Sequence, residues 1–312
     1  MRGMKRTIVP EAVHHIYQRT VDGVLLFYTV RDHLVHFSVF SVCARRYGIT
    51  VLGFCQMPDH LHLSVRPSRR DQMSGFMKES AICFVKEYNS SIGRCGPILE
   101  SCFGSAPKIK DKRVRENIVY LYNNPVERGL CMMAEDYQWN FLAYAWSDHP
   151  FSEPFIYRRA SWKMKIAVRM LKDCCKSGNY LRYHFLDSLF EELDQRETAQ
   201  LIDMIINLYQ FIDYNAALSY YGSMEKMLSA IHSNTGTEHD IREVFDAGTD
   251  RVYIKMAQLI RKGGRYRNVR EVTVASVEEK IRLFREIQAR TGATGRQIAK
   301  FLHLPFSYDN TR

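Results

Sequence analysis

The order of strand-like and helix-like segments predicts an α+β protein in two parts, an antiparallel sheet flanked by helices followed by an all-α region. Three observations carry that expectation. Runs of β-branched and aromatic residues broken by short turns fill much of the first 66 residues, helical spacing alternates with strand-like runs up to about residue 130, and helical spacing alone follows residue 154. Residues 13–21 and 24–30 are strand-like on either side of Asp22-Gly23, a pair that favours a two-residue hairpin turn. Val35, Val39, Val42 and Cys43 then share one helical face, and Gly48 suits its stop. Residues 49–56 and 60–66 read as strands separated by Met57-Pro58-Asp59, giving a β-β-α-β-β opening. Residues 71–91 read as a helix with Met73, Phe76, Met77, Ile82, Phe84 and Val85 apolar, and 97–103 as a short strand. Residues 113–124 read as a helix that stops before Pro125, because proline pushes its predecessor out of the helical region. The stretch 147–154, polar and holding two prolines, is the best linker, so 1–150 and 151–312 are expected to be two domains. Apolar residues recur at helical spacing through 158–176, 180–194, 196–212, 214–232, 252–262, 276–290 and 294–302.

Composition narrows the class. In 312 residues, 46% are hydrophobic and 25% charged, ordinary for a globular protein, which argues against disorder, collagen and a coiled-coil rod. No run approaches the roughly 18 apolar residues of a membrane span, and Met1 to Arg6 is followed by no apolar signal region. A cytoplasmic protein with no membrane partner is therefore expected. The eight cysteines are scattered without a C-x-x-C pair and read as reduced thiols. The formal net charge is +10, from 44 basic and 34 acidic residues. Residues 1–150 carry 19 basic and 14 acidic residues, 151–250 carry 11 and 15, and 251–312 carry 14 and 5. Two basic surfaces separated by an acidic stretch suggest a polyanionic partner.

His60 and His62 stand two apart in a strand, so both imidazoles leave the same face while Leu61 and Leu63 leave the other. That is half a metal site, or equally a pair of packing histidines; a zinc site would want further Cys or His at matching spacing. Tyr120 and Asn124 lie four apart on a helix and share a face, whereas Tyr122, about 200° round the axis from Tyr120, does not. A tyrosine hydroxyl can attack a phosphodiester that a metal polarises, and an asparagine carbonyl can ligate. On spacing alone, a packing tyrosine and a helix-capping asparagine remain open.

His60-Leu-His62 after Met57-Pro-Asp59, followed some 60 residues on by Tyr120-Leu-Tyr-Asn-Asn-Pro-Val-Glu-Arg-Gly-Leu130, resembles the single-tyrosine HUH transposases. It is most similar to their REP-associated tyrosine transposase branch, including variants with an added C-terminal domain. Further similarity runs through Val13-His-His-Ile-Tyr-Gln-Arg-Thr20, Phe103-Gly-Ser-Ala-Pro-Lys108 and Asp136-Tyr-Gln-Trp139, and covers roughly residues 5–150. The resemblance implies a ferredoxin-like sheet, His60, His62 and Asn124 as ligands of Mg2+ or Mn2+, and Tyr120 as nucleophile. Insertion-sequence relatives usually carry glutamine where this chain has Asn124; asparagine fits the REP-associated branch. The implied activity is that of a single-stranded DNA endonuclease and strand transferase acting at hairpins through a 5′-phosphotyrosine. A domesticated hairpin-DNA-binding protein without cleavage is the alternative, against which the intact His60, His62, Tyr120 and Asn124 argue. The resemblance leaves monomer and homodimer both open, and implies a nucleoid-associated place in the cytoplasm.

For DNA contacts, Lys108, Lys110, Lys112, Arg113 and Arg115 form a basic cluster leading into the Tyr120 helix, with Arg19 and Arg66 as weaker candidates. The cluster reads equally as a solvated helix start. In the tail, Arg261, Lys262, Arg265 and Arg267 alternate with glycine and Tyr266, the composition of a loop that follows phosphates. Residues 277–288 and 294–302, capped by Thr294, resemble the first two helices of a helix-turn-helix, with little chain left for a recognition helix. Residues 215–223 carry a weaker helix-turn pattern, and a structural or dimerising bundle is the other reading of this region.

Overall fold

The computed structural model describes residues 7–233 and 249–305; Met1 to Arg6 and the last seven residues, read above for a signal region and a missing recognition helix, lie outside them. The first half is an α+β sandwich. Strand β1 (Val13–Arg19), helix α1 (Val30–Tyr47), β2 (Thr50–Met57), β3 (His60–Arg66), α2 (Arg70–Ile92) and β4 (Gly104–Lys108) build a four-stranded antiparallel sheet in the order β2-β3-β1-β4. This β-α-β-β-α-β order is that of a ferredoxin-like sheet. Helix α3 (Asp111–Glu127) follows on the other face.

The period of two in β3 sorts its residues between layers. Leu61, Leu63 and Val65 join Ile16, Phe54 and residues of α1 and α2 such as Phe37, Phe40, Phe76 and Phe84 in one core. Each such side chain, fully buried, contributes about 1.5–3 kcal/mol. The opposite face carries His60 and His62 toward α3, whose Ile118, Leu121 and Tyr122 pack with Leu52, Cys55 and Met57 of β2. Helix α1 begins earlier than its apolar face suggests, because Thr29 and Asp32 form a capping box; Gly48 ends it in the left-handed region at φ 61°.

Three local expectations are corrected. The hairpin at Asp22-Gly23 does not form: residues 21–23 make one 3-10 turn and 24–29 pair in no ladder, although Asp22 and Gly23 do take positive φ. Strand β1 already has β3 and β4 on its two edges, so a third partner has no place. The amides of Leu26 and Phe27 instead both donate to the Pro58 carbonyl, and Leu25 N–H to that of Lys300. The β-branched and aromatic composition of residues 24–30 reads as a strand, but their apolar side chains are divided between two cores, Leu26 and Phe27 entering the main one and Leu25 and Tyr28 another. Second, the strand expected at 97–103 lies at Gly104–Lys108; 97–103 makes only an isolated bridge, Thr20 to Leu99. Pro107 is tolerated because β4 is an edge strand. Third, α3 runs through Pro125 to Glu127. Proline here costs only the bond to the Leu121 carbonyl, and the turn closes through Arg128 N–H to Asn124 and Leu130 N–H to Pro125.

The rest is helical: α4 (Trp162–Lys176), α5 (Tyr183–Phe190), α6 (Gln195–Leu208), α7 (Tyr214–Leu218), α8 (Met224–Ser233), α9 (Arg251–Lys262), α10 (Val277–Thr291) and α11 (Gly295–Leu302). Helices α4 to α6 share the core of α1, with Leu171, Leu186, Leu201 and Ile205 fully buried. Asp213 N–H donates to the Val51 carbonyl at 2.7 Å, and Leu181 N–H to the Ser38 hydroxyl at 2.9 Å. Residues 147–154 run as irregular chain, held where Phe151 N–H reaches Asp203 at 3.2 Å. Helices α9 to α11 gather around Leu25 and Tyr28. Among the described residues no helix is long and apolar enough to cross a membrane.

Candidate active site

Antiparallel pairing places Arg19 of β1 opposite His60, and Tyr17 opposite His62. Across this face α3 presents Asn117, Tyr120 and Asn124, which the 3.6-residue turn puts on one side of the helix. The ring centroids of His60 and His62 are 4.8 Å apart, those of His62 and Tyr120 5.5 Å. Asn124 Nδ2 lies 3.4 Å from His62 Nε2. The sheet and α3 thus bring His60, His62, Tyr120 and Asn124 into one cluster within a single chain. Tyr122 instead packs toward β2, outside this cluster, and is fully buried, with its hydroxyl making no hydrogen bond.

Three further residues complete the cluster, none of them singled out from sequence. Asp59 Oδ1 accepts from His60 Nδ1 at 2.5 Å. His15 Nε2 meets His62 Nδ1 at 3.0 Å, and Asn117 Nδ2 meets His15 Nδ1 at 2.7 Å. The signals were present: an acid beside the first histidine, a histidine in β1, and an asparagine one turn before Tyr120. Asp59 also accepts from Lys300 Nζ of α11 at 3.1 Å. Desolvation alone would push the Asp59 carboxyl up, but His60, Lys300 and Arg128 hold it well below the usual carboxylate range. Asp250, next to this group, is pushed up to about 6 by burial and by the Asp59 charge, against Arg128, His60 and Lys300.

A cavity of about 400 Å³ opens beside His60, lined by Arg19, Thr20, Asp59, Arg128, Arg296 and Lys300 among others. Tyr120 does not line it and is only 6% exposed. Of the basic candidates, Arg19 stands at this cavity. Arg66 ends β3 six residues from His60, roughly 20 Å along the strand. Lys108 is buried, and Arg115 turns toward the Tyr220 carbonyl at 3.3 Å. Lys110, Lys112 and Arg113 are exposed, the last two beside Glu116. Arg261 and Lys262 in the last turn of α9, and Arg265 and Arg267 just after it, are exposed, with Arg265 3.8 Å from Glu279. In α11, Gln297 to Leu302 are buried, so that helix spends most of its surface on packing.

The fit of a divalent ion can be judged from these atoms. Asn124 is 0% exposed and its Oδ1 accepts no hydrogen bond, although its nitrogen faces His62. A buried amide oxygen without a donor suits a cation. Asp59 holds the Nδ1 proton of His60, which leaves Nε2 as the ligating nitrogen, the usual arrangement of a carboxylate-oriented metal histidine. Among the described residues no three of His, Cys, Asp and Glu gather as for a metal ion, so the set is two imidazoles and an amide. Such a set fits Mg2+ or Mn2+ completed by substrate oxygens better than zinc.

No family model matches the chain, and no curated protein matches it. Among solved structures it is similar to a REP-associated tyrosine transposase bound to a REP hairpin, at 17% identity and a TM-score of 0.40, over 46% of this chain and 84% of that one.

Proposed function

We propose that this protein is a divalent-metal-dependent single-stranded DNA endonuclease and strand transferase acting at hairpin-containing DNA. The observation that carries the reading is the convergence of His60 and His62 from β3 with Tyr120 and Asn124 from α3 in one cluster. His60 Nε2, His62 Nε2 and Asn124 Oδ1 would hold Mg2+ or Mn2+. When bound, the ion polarises the scissile phosphate and offsets the charge that develops on it. Arg19, Arg128, Arg296 and Lys300 would guide the strand's phosphates toward His60. The Tyr120 oxygen attacks phosphorus, the bond from phosphorus to the 3′ oxygen breaks, and the 3′ oxygen leaves as a hydroxyl with a proton. The product is a 5′-phosphotyrosine. A DNA 3′-hydroxyl attacking that link reverses the exchange and rejoins strands without external energy. Because Tyr120 is buried behind His62, attack on a phosphate in the cavity requires its ring to move toward His60.

That same burial favours a second reading, a hairpin-DNA-binding protein that does not cleave. The test is incubation with labelled single-stranded hairpin oligonucleotides from the DNA flanking its own gene, with and without Mg2+ or Mn2+, read on denaturing gels. The cleaving enzyme gives a metal-dependent protein-linked band that Tyr120→Phe abolishes while hairpin binding persists. Retardation on native gels with no covalent species under either metal selects the binding-only reading.

A further inference from the structure

Behind the ligand pair lies a buried run of four polar side chains: Asn117, His15, His62 and Asn124, joined at 2.7, 3.0 and 3.4 Å. All four are 0% exposed. At both ends an amide nitrogen faces a ring nitrogen, and at both ends the amide oxygen, Asn117 Oδ1 and Asn124 Oδ1, accepts no hydrogen bond. A neutral imidazole has one N–H and one lone pair. Two neutral rings placed between two donors therefore leave one contact in which donor faces donor. Turning either amide by half a rotation about its Cβ–Cγ bond removes the conflict, since amide oxygen and nitrogen are nearly the same size.

The two solutions differ in what His62 offers the site. If Asn124 turns, its oxygen accepts from a proton on His62 Nε2, and that nitrogen cannot ligate. If Asn117 turns, its oxygen accepts from His15 Nδ1–H, His15 Nε2 accepts from His62 Nδ1–H, and His62 Nε2 keeps a lone pair, which accepts from Asn124 Nδ2–H until that amide turns and a cation takes it. The second solution also leaves Asn124 Oδ1 without a donor, as required of a ligand.

We infer that Asn117, acting through His15, is the positioning residue that sets the tautomer of His62 and thereby controls metal affinity. The cluster accordingly has an idle and a metal-competent hydrogen-bond direction, exchanged by half-rotations of both amides and a change of proton position on both rings, with no change in net charge. The inference rests on the reading of His62 as a metal ligand. It also places Asn117 on α3 one turn before Tyr120, so that the helix carrying the nucleophile also carries the residue that readies the metal site.

The test uses the full chain and Mn2+ binding followed by electron paramagnetic resonance of the free ion, so that no turnover is needed. Asn117→Asp presents oxygen only and fixes the competent direction, so Mn2+ should bind about tenfold more tightly; Asn117→Leu removes the acceptor and should weaken binding about tenfold, the usual scale for residues behind a metal ligand. Long-range 1H–15N spectra of the wild type add a readout that no substitution can disturb. With Mg2+ bound, both His62 and His15 should carry their protons on Nδ1. A proton on His15 Nε2 in the Mg2+-bound protein, or folded Asn117 variants that bind Mn2+ within twofold of wild type, would overturn the inference. A wild type that binds no Mn2+, or binds it as well after His62→Ala, would instead remove the metal reading on which it rests.

Discussion

Lys300, in the last helix, donates to Asp59, the neighbour of His60, at 3.1 Å across 241 positions of sequence. The helical end of the chain is thereby tied to the residue that orients a candidate ligand on the sheet. Lys300 Nζ and His60 Nδ1 take different oxygens of the same carboxylate.

That pairing predicts energetic coupling between the tail and the site. Lys300→Ala and Asp59→Asn, alone and combined, should show a coupling energy of about 1–2 kcal/mol in urea denaturation of the full chain, since the pair is largely shielded from solvent. Additive effects would mean that α11 merely rests beside the site.

Tyr122 tests the assignment of the nucleophile by contrast with Tyr120. Its hydroxyl is buried without a hydrogen-bond partner, and burial holds its pKa well above the ordinary value. Tyr122→Phe removes an unsatisfied polar group and should raise stability by about 1 kcal/mol. The covalent DNA product should persist in this variant. Its loss there, with the fold intact, would transfer the nucleophilic role to Tyr122.

Arg270 is 1% exposed, with Nε 2.9 Å from Asp32 Oδ1 and its guanidinium 3.7 Å from the centre of the Tyr183 ring. Asp32 also accepts from Tyr28 N–H, Thr29 N–H and the Tyr183 hydroxyl. Arg270→Leu leaves that carboxylate buried without its cation and should cost about 3–5 kcal/mol in chemical denaturation. A loss under 1 kcal/mol would show the tail to be dispensable for the α1 end of the core.

Acid should weaken the fold through three buried histidines. Burial pushes His33 down to about 3, with Gln56 opposing, and His303 down to about 4, with the Leu25 carbonyl opposing. His36 is lowered by burial and then by His33. An imidazole whose folded pKa lies below its unfolded value stabilises above about pH 6.5 and loses that contribution as pH falls toward the folded value. Melting temperature should therefore hold above pH 7 and fall between pH 6.5 and 4. Asp250 works in the opposite sense: its pKa, raised to about 6, adds stability as pH drops from 6 toward 4. Asp250→Asn should consequently steepen the acid loss, and a flat wild-type profile across this window would refute the account.

Where local rules and tertiary demands agree, the elements were legible. The alternation Leu61, His62, Leu63 placed the histidines on one face of β3, and the four-residue spacing of Tyr120 and Asn124 put them on one side of α3. Gly48 and Thr294 ended and began helices where sequence expected. The hairpin failed for a reason no local window contains: whether β1 has a free edge depends on β3 and β4, which begin 47 and 91 residues after it does.

The sequence by itself determined the α+β order and the helical second half, and put His60 with His62 and Tyr120 with Asn124 on shared faces of their elements, because periodicity and spacing act within one element. Only the tertiary structure decided what stands behind and around them. His15 from β1, Asn117 from the first half of α3, Asp59 from the β2–β3 turn and Lys300 from α11 meet through sheet pairing and helix docking. It also separated the basic candidates, leaving Arg19 at the cavity and burying Lys108. Hydrogen bonds and burial between distant segments depend on how layers stack, and no spacing within a single segment encodes that.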